Sequence, residues 1–500
     1  MTRPRWSVAC LIVALAALGA CSGQGDDERR TSVRIGVALE PPHLDPTAGA
    51  AAAIDEVVFL NVFEGLTRIG EDGSVGPGLA ESWSVSEDGL AYRFVLREGV
   101  VFHDGSAFDA EDVTFTLDRA RAEGTLNANR AFFSAIEAVD AIDLFTVELR
   151  LSRPDGNLLF NLGQGDAAMV APESAEENVR TPIGTGPFKF ARWRRGDALT
   201  LHRFEDYWGR APALERATFR IIAEPSAGFA ALLAGDVDAF PNFPAPENIQ
   251  LIERNPRFSV VVGTTEGETI LAVNNAQAPF DRRSVRQALA HAVDKSALID
   301  GAMFGFGTPI GSHFPPHHPA YVDLAGRYPF APDEARRLLQ GALGGETVRA
   351  RLMLPPPGYA RRSGEIIAAQ LRDVGVETEI VPLEWARWLD QVFANKDYDL
   401  TIVAHTEPLD IDIYARDDYY FGYSDPAFRE LMARLSAETD APLRKQMYAE
   451  AQRALADAAV NVFLFQIPKI GVWDTRLRGL WADAPIQAND LTGVHWVEEE

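Results

Sequence analysis

Between Arg349 and Val403 the apolar residues change period repeatedly, and this constrains the fold more than any other part of the chain. Ala350–Leu354 reads as a strand. Ile366, Ile367, Leu371 and Val374 then recur at helical spacing, with Ser363 as the expected cap and Gly375 just past the end. Val376–Leu383 alternates Val376, Thr378 and Ile380 against Glu377 and Glu379. Trp385, Trp388, Leu389, Val392 and Phe393 form a second helical stripe, and Tyr398–Val403 is a strand again. Three strands separated by two helix-length connections require crossovers, hence a mostly parallel sheet in an α/β protein. Ligands of such sheets bind outside the carboxyl ends of the strands. Those ends lead into Pro355–Tyr359, into Glu384-Trp385, and into His405-Thr406-Glu407, so an indole, an imidazole and a carboxylate are expected on one rim.

The chain has 500 residues, and one core stops growing at about 250–300 residues, so at least two lobes are expected. Ser32–Leu39, Tyr92–Leu96, Thr146–Leu151, Ala217–Ala223 and Val237–Phe240 read as strands, and Ala110–Arg121 as a helix. Ser226 is the expected cap of a helix with Phe229, Leu232 and Leu233 on one face, ended by Gly235. Thr269–Val273 is an apolar strand, and Asp281 opens a helix burying Val285, Ala288, Leu289, Ala292 and Val293. The formal charge of −25 argues against broad binding to nucleic-acid or anionic lipid phosphates, which needs a positive field.

Arg3 and Arg5 precede an apolar run, Val8–Leu18, too short to span a bilayer and flanked like an export signal. It ends in Leu18-Gly19-Ala20-Cys21, which resembles a bacterial lipobox. Cleavage would leave Cys21 as an acylated first residue, with Gly23–Arg30 as a tether. Cys10 falls in the removed segment, so no disulfide is available.

No phosphate-cradling loop, His-Glu-x-x-His or Gly-x-Ser-x-Gly is present, and Gly163–Ala168 is read as a turn. His313, His317 and His318 cluster in Gly311–Pro319. A metal site there is weighed against a proline-stiffened surface loop with solvated or stacking histidines, and the loop reading is preferred because no Cys and no helical His pair accompanies them. Glu407, Asp410 and Asp412 could be paired catalytic carboxylates, a cation receptor, or solvated acids. Trp385 could be a ligand platform or a core residue. The loop through Tyr414, Tyr419, Tyr420, Phe421 and Tyr423 is strongly aromatic, which suits recognition of a flexible solute.

Several segments, in order, carry a family likeness. They are Phe63-Glu64-Gly65-Leu66 with Leu79–Trp83, Ser86–Phe94 running into Leu96–Val100, Phe102–Gly105, Ala110–Val113, Gly184–Phe188, Ala231–Asp238 and Val285–Leu289. Together they resemble the solute-binding proteins of peptide/nickel-type ATP-binding-cassette importers, bacterial extracellular solute-binding family 5, over essentially the whole mature chain.

The resemblance implies a two-lobed α/β periplasmic-binding-protein fold of type II, in its large cluster, with an extra subdomain in lobe I and a hinge of two crossovers near Val262–Leu271 and Ile467–Trp473. The implied division is a signal peptide over 1–20, a lipid-anchored tether over 21–31, lobe I over 32–265 with an inserted subdomain at 61–180, lobe II over 266–470, and a C-terminal segment, 471–500, returning to lobe I. The implied activity is non-enzymatic capture of a peptide or peptide-like solute, delivered to an inner-membrane permease pair driven by cytoplasmic ATPases. The protein would be a periplasmic, membrane-anchored monomer with no cofactor and no resident metal. Peptide binders of this family place a Trp and then an amine-binding Asp after the strand that ends here at His405. The Trp position falls on His405 and the Asp position on Pro408, with Glu407 beside it, while Trp385 matches the family's tryptophan. Glu407 or Asp410 is therefore the expected amine receptor. Trp385, His405, Tyr414 and Tyr419 are the expected walls, and His43 and Asn274 complete the polar lining. The alternatives are a nickel, haem or other non-peptide carrier of the same family, a secreted glycoside hydrolase using Glu407 with Asp410 or Asp412, and a sensor or chaperone without transport.

Overall fold

The computed structural model describes residues 31–49 and 51–498. The lipobox and Cys21 lie outside the described residues. The period changes after residue 348 give the expected parallel unit. Val348–Leu354 pairs in parallel with Val376–Pro382 on one side and Leu400–His405 on the other. These strands are one end of an eleven-stranded mixed sheet. At its other end Ser32–Val37 lies parallel to Arg216–Ile221, followed by the antiparallel strands Ala198–Arg203 and Phe188–Arg194.

Two long antiparallel strands join the ends. The first crossover strand, Phe258–Val273, pairs with the second, Val462–Asp474. Sequence alone finds only the apolar last third of the first, because the polar and glycine run from Gly263 to Glu268 separates it from Val260–Val262. Phe258 packs with Phe240, Ile249 and Val472, and Trp473 joins Ile35, Phe63 and Phe219. Farther along, Leu271, Val273, Leu464 and Phe465 belong to a core with Leu289, Leu352 and Leu371. Ile270, Ala272 and Phe463 belong to another, with Tyr398 and Val403. Alternate residues of one strand thus enter cores on opposite faces, as the two-residue period requires. Between these packing regions the register slips from Thr264 opposite Pro468 to Glu268 opposite Gln466, a bulge that interrupts the ladder where the two ends meet.

A separate four-stranded antiparallel sheet, Ala80–Val85, Ala91–Leu96, Thr146–Leu151 and Ile136–Asp143, packs with helix Ala110–Arg121 around Phe94, Val113, Leu117 and Phe133. Asp109 and Asp112 form a capping box at that helix start. The ends of the expected 61–180 insertion are not confined to this core, since Phe63 and Ala175 pack with Ile35 and Phe219. The C-terminal segment returns to the first strand. The Trp496 indole donates to Ser32 O at 2.9 Å, and Asn61 bonds both Asn489 O and the Leu491 N–H.

The expected caps Ser226 and Ser363 are corrected. The first helix starts at Pro225, whose fixed φ suits a first turn, with Glu224 at the cap position. The second runs Gly358–Asp373, so Ser363 is a buried interior residue. Leu233 is exposed on the helix that buries Leu232.

The family-like motifs dock on one another. Gly186 N–H donates to Val62 O, and His103 N–H to Gly184 O. A Cβ at Gly184 would sit 2.0 Å from Val62 O, so only glycine permits this approach. The His103 ring donates from Nε2 to Gly186 O at 2.9 Å and accepts at Nδ1 from Gly184 N–H at 3.4 Å, an arrangement that needs the neutral ring. Burial lowers its pKa to about 4. The folded state therefore binds fewer protons than the unfolded state between about pH 4 and 6.5. Stability from this group rises with pH across that window and is lost as pH falls through it. Urea unfolding of the wild type and His103→Gln across pH 4–7 is expected to differ in slope, the wild type gaining about 3 kcal/mol more towards neutrality.

Candidate functional site

The carboxyl ends of the three parallel strands place Leu354, Pro382 and His405 on one rim. Two side chains lace it together. Arg361 donates to Pro355 O and Leu383 O, and the Ala404 N–H donates to Tyr359 Oη at 2.9 Å.

After Pro382 the chain forms a short helix, Trp385–Trp388, continued by a wider turn, Leu389–Ala394. Trp388 is the core residue, its Nε1 donating to Thr401 Oγ1 at 3.0 Å. Trp385 stands edge-on to it at 5.5 Å and is 42% exposed. Leu389 and Phe393 are exposed as well, so residues four apart make an apolar ridge on the open side of the helix. Phe393 meets the half-buried Tyr419 edge-on at 5.7 Å.

After His405 the chain enters a loop that brings His405, Glu407 and Asp410 together, with one donor atom from each lying within 4.8 Å of the others. His405 is buried, its Nε2 is 3.0 Å from Tyr420 Oη and the two rings are stacked. Burial lowers its pKa against the pull of Asp410 and Glu407, which favours the neutral ring. Glu407 is exposed. Leu409 has a left-handed backbone, φ 61°. It packs against both the core containing Ile35 and Phe63 and the one containing Tyr398 and Ile411, so the rim loop touches the N-terminal half of the molecule.

Asp410 is held from behind. Its Oδ1 lies 2.9 Å from His313 Nε2, and His313 Nδ1 lies 2.5 Å from Glu268 Oε1 on the first crossover strand. Burial opposes charge on His313, but the flanking Glu268 and Asp410 overcome it and raise its pKa to about 10. Burial raises Glu268 to about 8. Burial thus favours a neutral Glu268 carboxyl beside a charged His313 ring at neutral pH. Nearby, His317 Nε2 meets Glu266 Oε1 at 2.6 Å and its Nδ1 meets Thr264 Oγ1 at 2.5 Å. Thr264 donates its N–H and hydroxyl to Asp483. His318 stacks on Phe314 at 3.9 Å, and burial lowers its pKa to about 3.

Of the expected surface loop with solvated or stacking histidines, the stacking is present at His318 and the surface position is corrected. The His313 and His317 side chains are buried, each within ion-pair distance of a carboxylate, and His318 stacks on the core residue Phe314. Asn274 is also corrected. Val273 pairs with Leu400 and Glu268 with His405, so Asn274 lies at the opposite end of the strand from the rim. Its amide donates to Lys396 O and Tyr398 O. Tyr414 is no cleft wall, because it is buried, stacked on Phe421 and edge-on to His313. Asp412 forms a bidentate pair with Arg416. His43 is half-buried in its own loop, where its Nδ1 accepts from the Asp45 N–H. The structure thus brings together His405, Glu407 and Asp410, and sets Trp385 and Tyr419 on the same rim. Sequence reasoning missed Glu266 and Glu268. Two acids two apart, running into the apolar strand Thr269–Val273, were the available signal that their side chains share one face.

The family model for bacterial extracellular solute-binding proteins, family 5 (middle), matches residues 74–415. Heme-binding protein A of Haemophilus influenzae is 31% identical over 344 residues, covering 62% of this chain and 62% of that protein. The match thus spans less than two thirds of that relative's length. The dipeptide-binding protein of Escherichia coli is 28% identical over 424 residues, 77% of this chain and 79% of that one. The structure of HbpA2 from Haemophilus parasuis superposes with a TM-score of 0.84 at 24% identity, covering 93% of this chain and all of that chain. This likeness carries the mixed α/β fold of periplasmic binding proteins.

Proposed function

Because this chain belongs to the bacterial extracellular solute-binding proteins of family 5, and is accordingly a binding protein and not an enzyme, we propose that it captures a peptide or peptide-like solute and passes it to a membrane permease. The observation that carries the reading is the charge pattern of the rim. Asp410 is already matched by the buried His313, His405 is held neutral against Tyr420, and Glu407 stands exposed beside them. Glu407 therefore receives the solute's cationic amine, with the second oxygen of Asp410 in support. Trp385 and Tyr419 cover its apolar groups at low entropic cost. His43, on the N-terminal half, approaches when the halves close.

The lobes divide near residues 265 and 470, with 471–500 completing the first, and closure bends the paired crossover strands. A solute shifts the open–closed balance by its differential affinity for the closed form. Cys21 carries the lipid that keeps the protein at the membrane. Among the described residues no helix is long and apolar enough to cross one.

A second reading has one observation in its favour. His405, Glu407 and Asp410 offer one nitrogen and two oxygen donors within 4.8 Å, a set suited to a metal-bearing cargo, and one relative is named for haem. Native mass spectrometry of freshly purified protein, followed by calorimetry with trialanine, N-acetyl-trialanine, glutathione and haemin, separates the two. Binding of trialanine but not its acetylated form is expected. Haemin or a metal chelate as the sole bound species would replace the peptide reading. Trp385→Ala is expected to weaken trialanine binding about tenfold, through roughly 1–2 kcal/mol of lost aromatic contact.

A further inference from the structure

Three segments distant in sequence meet at one ring. Glu268 belongs to the first crossover strand and is the first residue paired again after the register slip at 264–268. His313 comes from the Gly311–Pro319 loop, and Asp410 from the rim loop. The ring is 3% exposed, and each of its nitrogens faces one carboxylate. Phe314 and Tyr414 stand against it at 5.3 and 5.6 Å. Four residues on, His317 grips Glu266 and Thr264 of the same slipped segment. One loop therefore holds the joint between the two ends of the sheet and, through His313, the acid at the rim. Asp410 follows Leu409, whose left-handed backbone is disfavoured for a side chain of that size. Its orientation thus depends on an outside hold.

We propose that His313 is a positioning residue for solute capture, fixing the Asp410 carboxylate to Glu268 so that the rim loop and the crossover joint change conformation together. This rests on reading Asp410 as part of the solute site. A solute cation arriving at Glu407 and Asp410 then pulls on the joint through one side chain, and a bend in the joint re-aims Asp410.

The test is amide hydrogen exchange, read by mass spectrometry, on the full solute-free protein and on Glu268→Gln, His313→Gln and their double variant. The Glu268 side chain meets the rim loop through His313, while its backbone pairs with His405. Glu268→Gln is expected to speed exchange in 406–412 about tenfold, with His313→Gln doing the same and the double variant no more than either. Exchange in strand 348–354 should stay at the wild-type rate, which a general loss of stability would not allow. Wild-type exchange at 406–412 in Glu268→Gln, or additive effects in the double variant, would overturn the proposal. If His313→Gln does not fold, Asp410→Asn reports from the other side. Faster exchange at 262–268 supports the coupling and an unchanged rate refutes it. Calorimetry with trialanine on the same samples keeps the two readings apart. Absent binding by the wild type would remove the peptide reading, while the exchange data would still decide the coupling.

Discussion

Replacing Glu64 with alanine is expected to destabilise the protein by about 3–5 kcal/mol, the range for breaking a buried charge-bearing network. Glu64 is buried beneath the docked motifs. Its carboxylate accepts from Thr185 Oγ1 at 3.0 Å, Tyr207 Oη at 2.8 Å and Trp208 Nε1 at 2.9 Å. Burial raises its pKa, and these donors together with Arg68 oppose the rise. Alanine would leave three donors without their acceptor, the fully buried Thr185 hydroxyl among them, and would open a cavity. Glutamine should be milder, because its carbonyl still accepts while its amide nitrogen meets donors. Urea unfolding followed by tryptophan fluorescence measures both changes. A loss below about 1 kcal/mol for the alanine variant would mean that the network does not clamp the docked motifs.

The paired substitution Glu407→Gln with Asp410→Asn is expected to weaken binding of a cationic peptide by at least a hundredfold. Truncating one partner of a desolvated, hydrogen-bonded charge pair typically costs about 2–5 kcal/mol, and here both acceptors lose their charge. Asp410→Asn alone also strands the His313 imidazolium beside Glu268, so its effect should reach stability as well as affinity. Glu407 is exposed, and its single substitution should change affinity only. Calorimetry with trialanine and thermal melts of the same samples separate these contributions. Equal affinity of the double variant for trialanine would remove both acids from the site.

The parallel unit from 348 to 405 was legible because each of its elements buries one face, and a buried face imprints its period on the sequence. The rim follows from that connectivity, and so do Trp385 and the His405–Glu407 turn. Helix starts were less legible. Ser363 looks like a cap only if burial is unknown, and Pro357 and Pro225 provide starts that need no side-chain hydrogen bond. The first crossover strand was only partly visible, since Ser259, Thr264 and Thr265 form strand by pairing with a distant segment and not by local apolar pattern. The histidine cluster misled for a related reason. A proline-rich loop reads as surface, whereas Phe314, with His318 stacked on it, anchors this one in the core and brings His313 and His317 to acids some fifty residues earlier. Asn274 was placed at the site by its nearness to the crossover in sequence, but a strand carries its two ends some 20 Å apart in six residues.

The bond from the Trp496 indole to the carbonyl of Ser32 bears on how the molecule is made. The parallel unit can close once the strand at 462–474 has emerged, whereas the half that begins with Ser32 still lacks Leu491 and Val494 at that point. The portion translated first is thus completed last. A chain stopped between these two points presents an open apolar core in its first-made half.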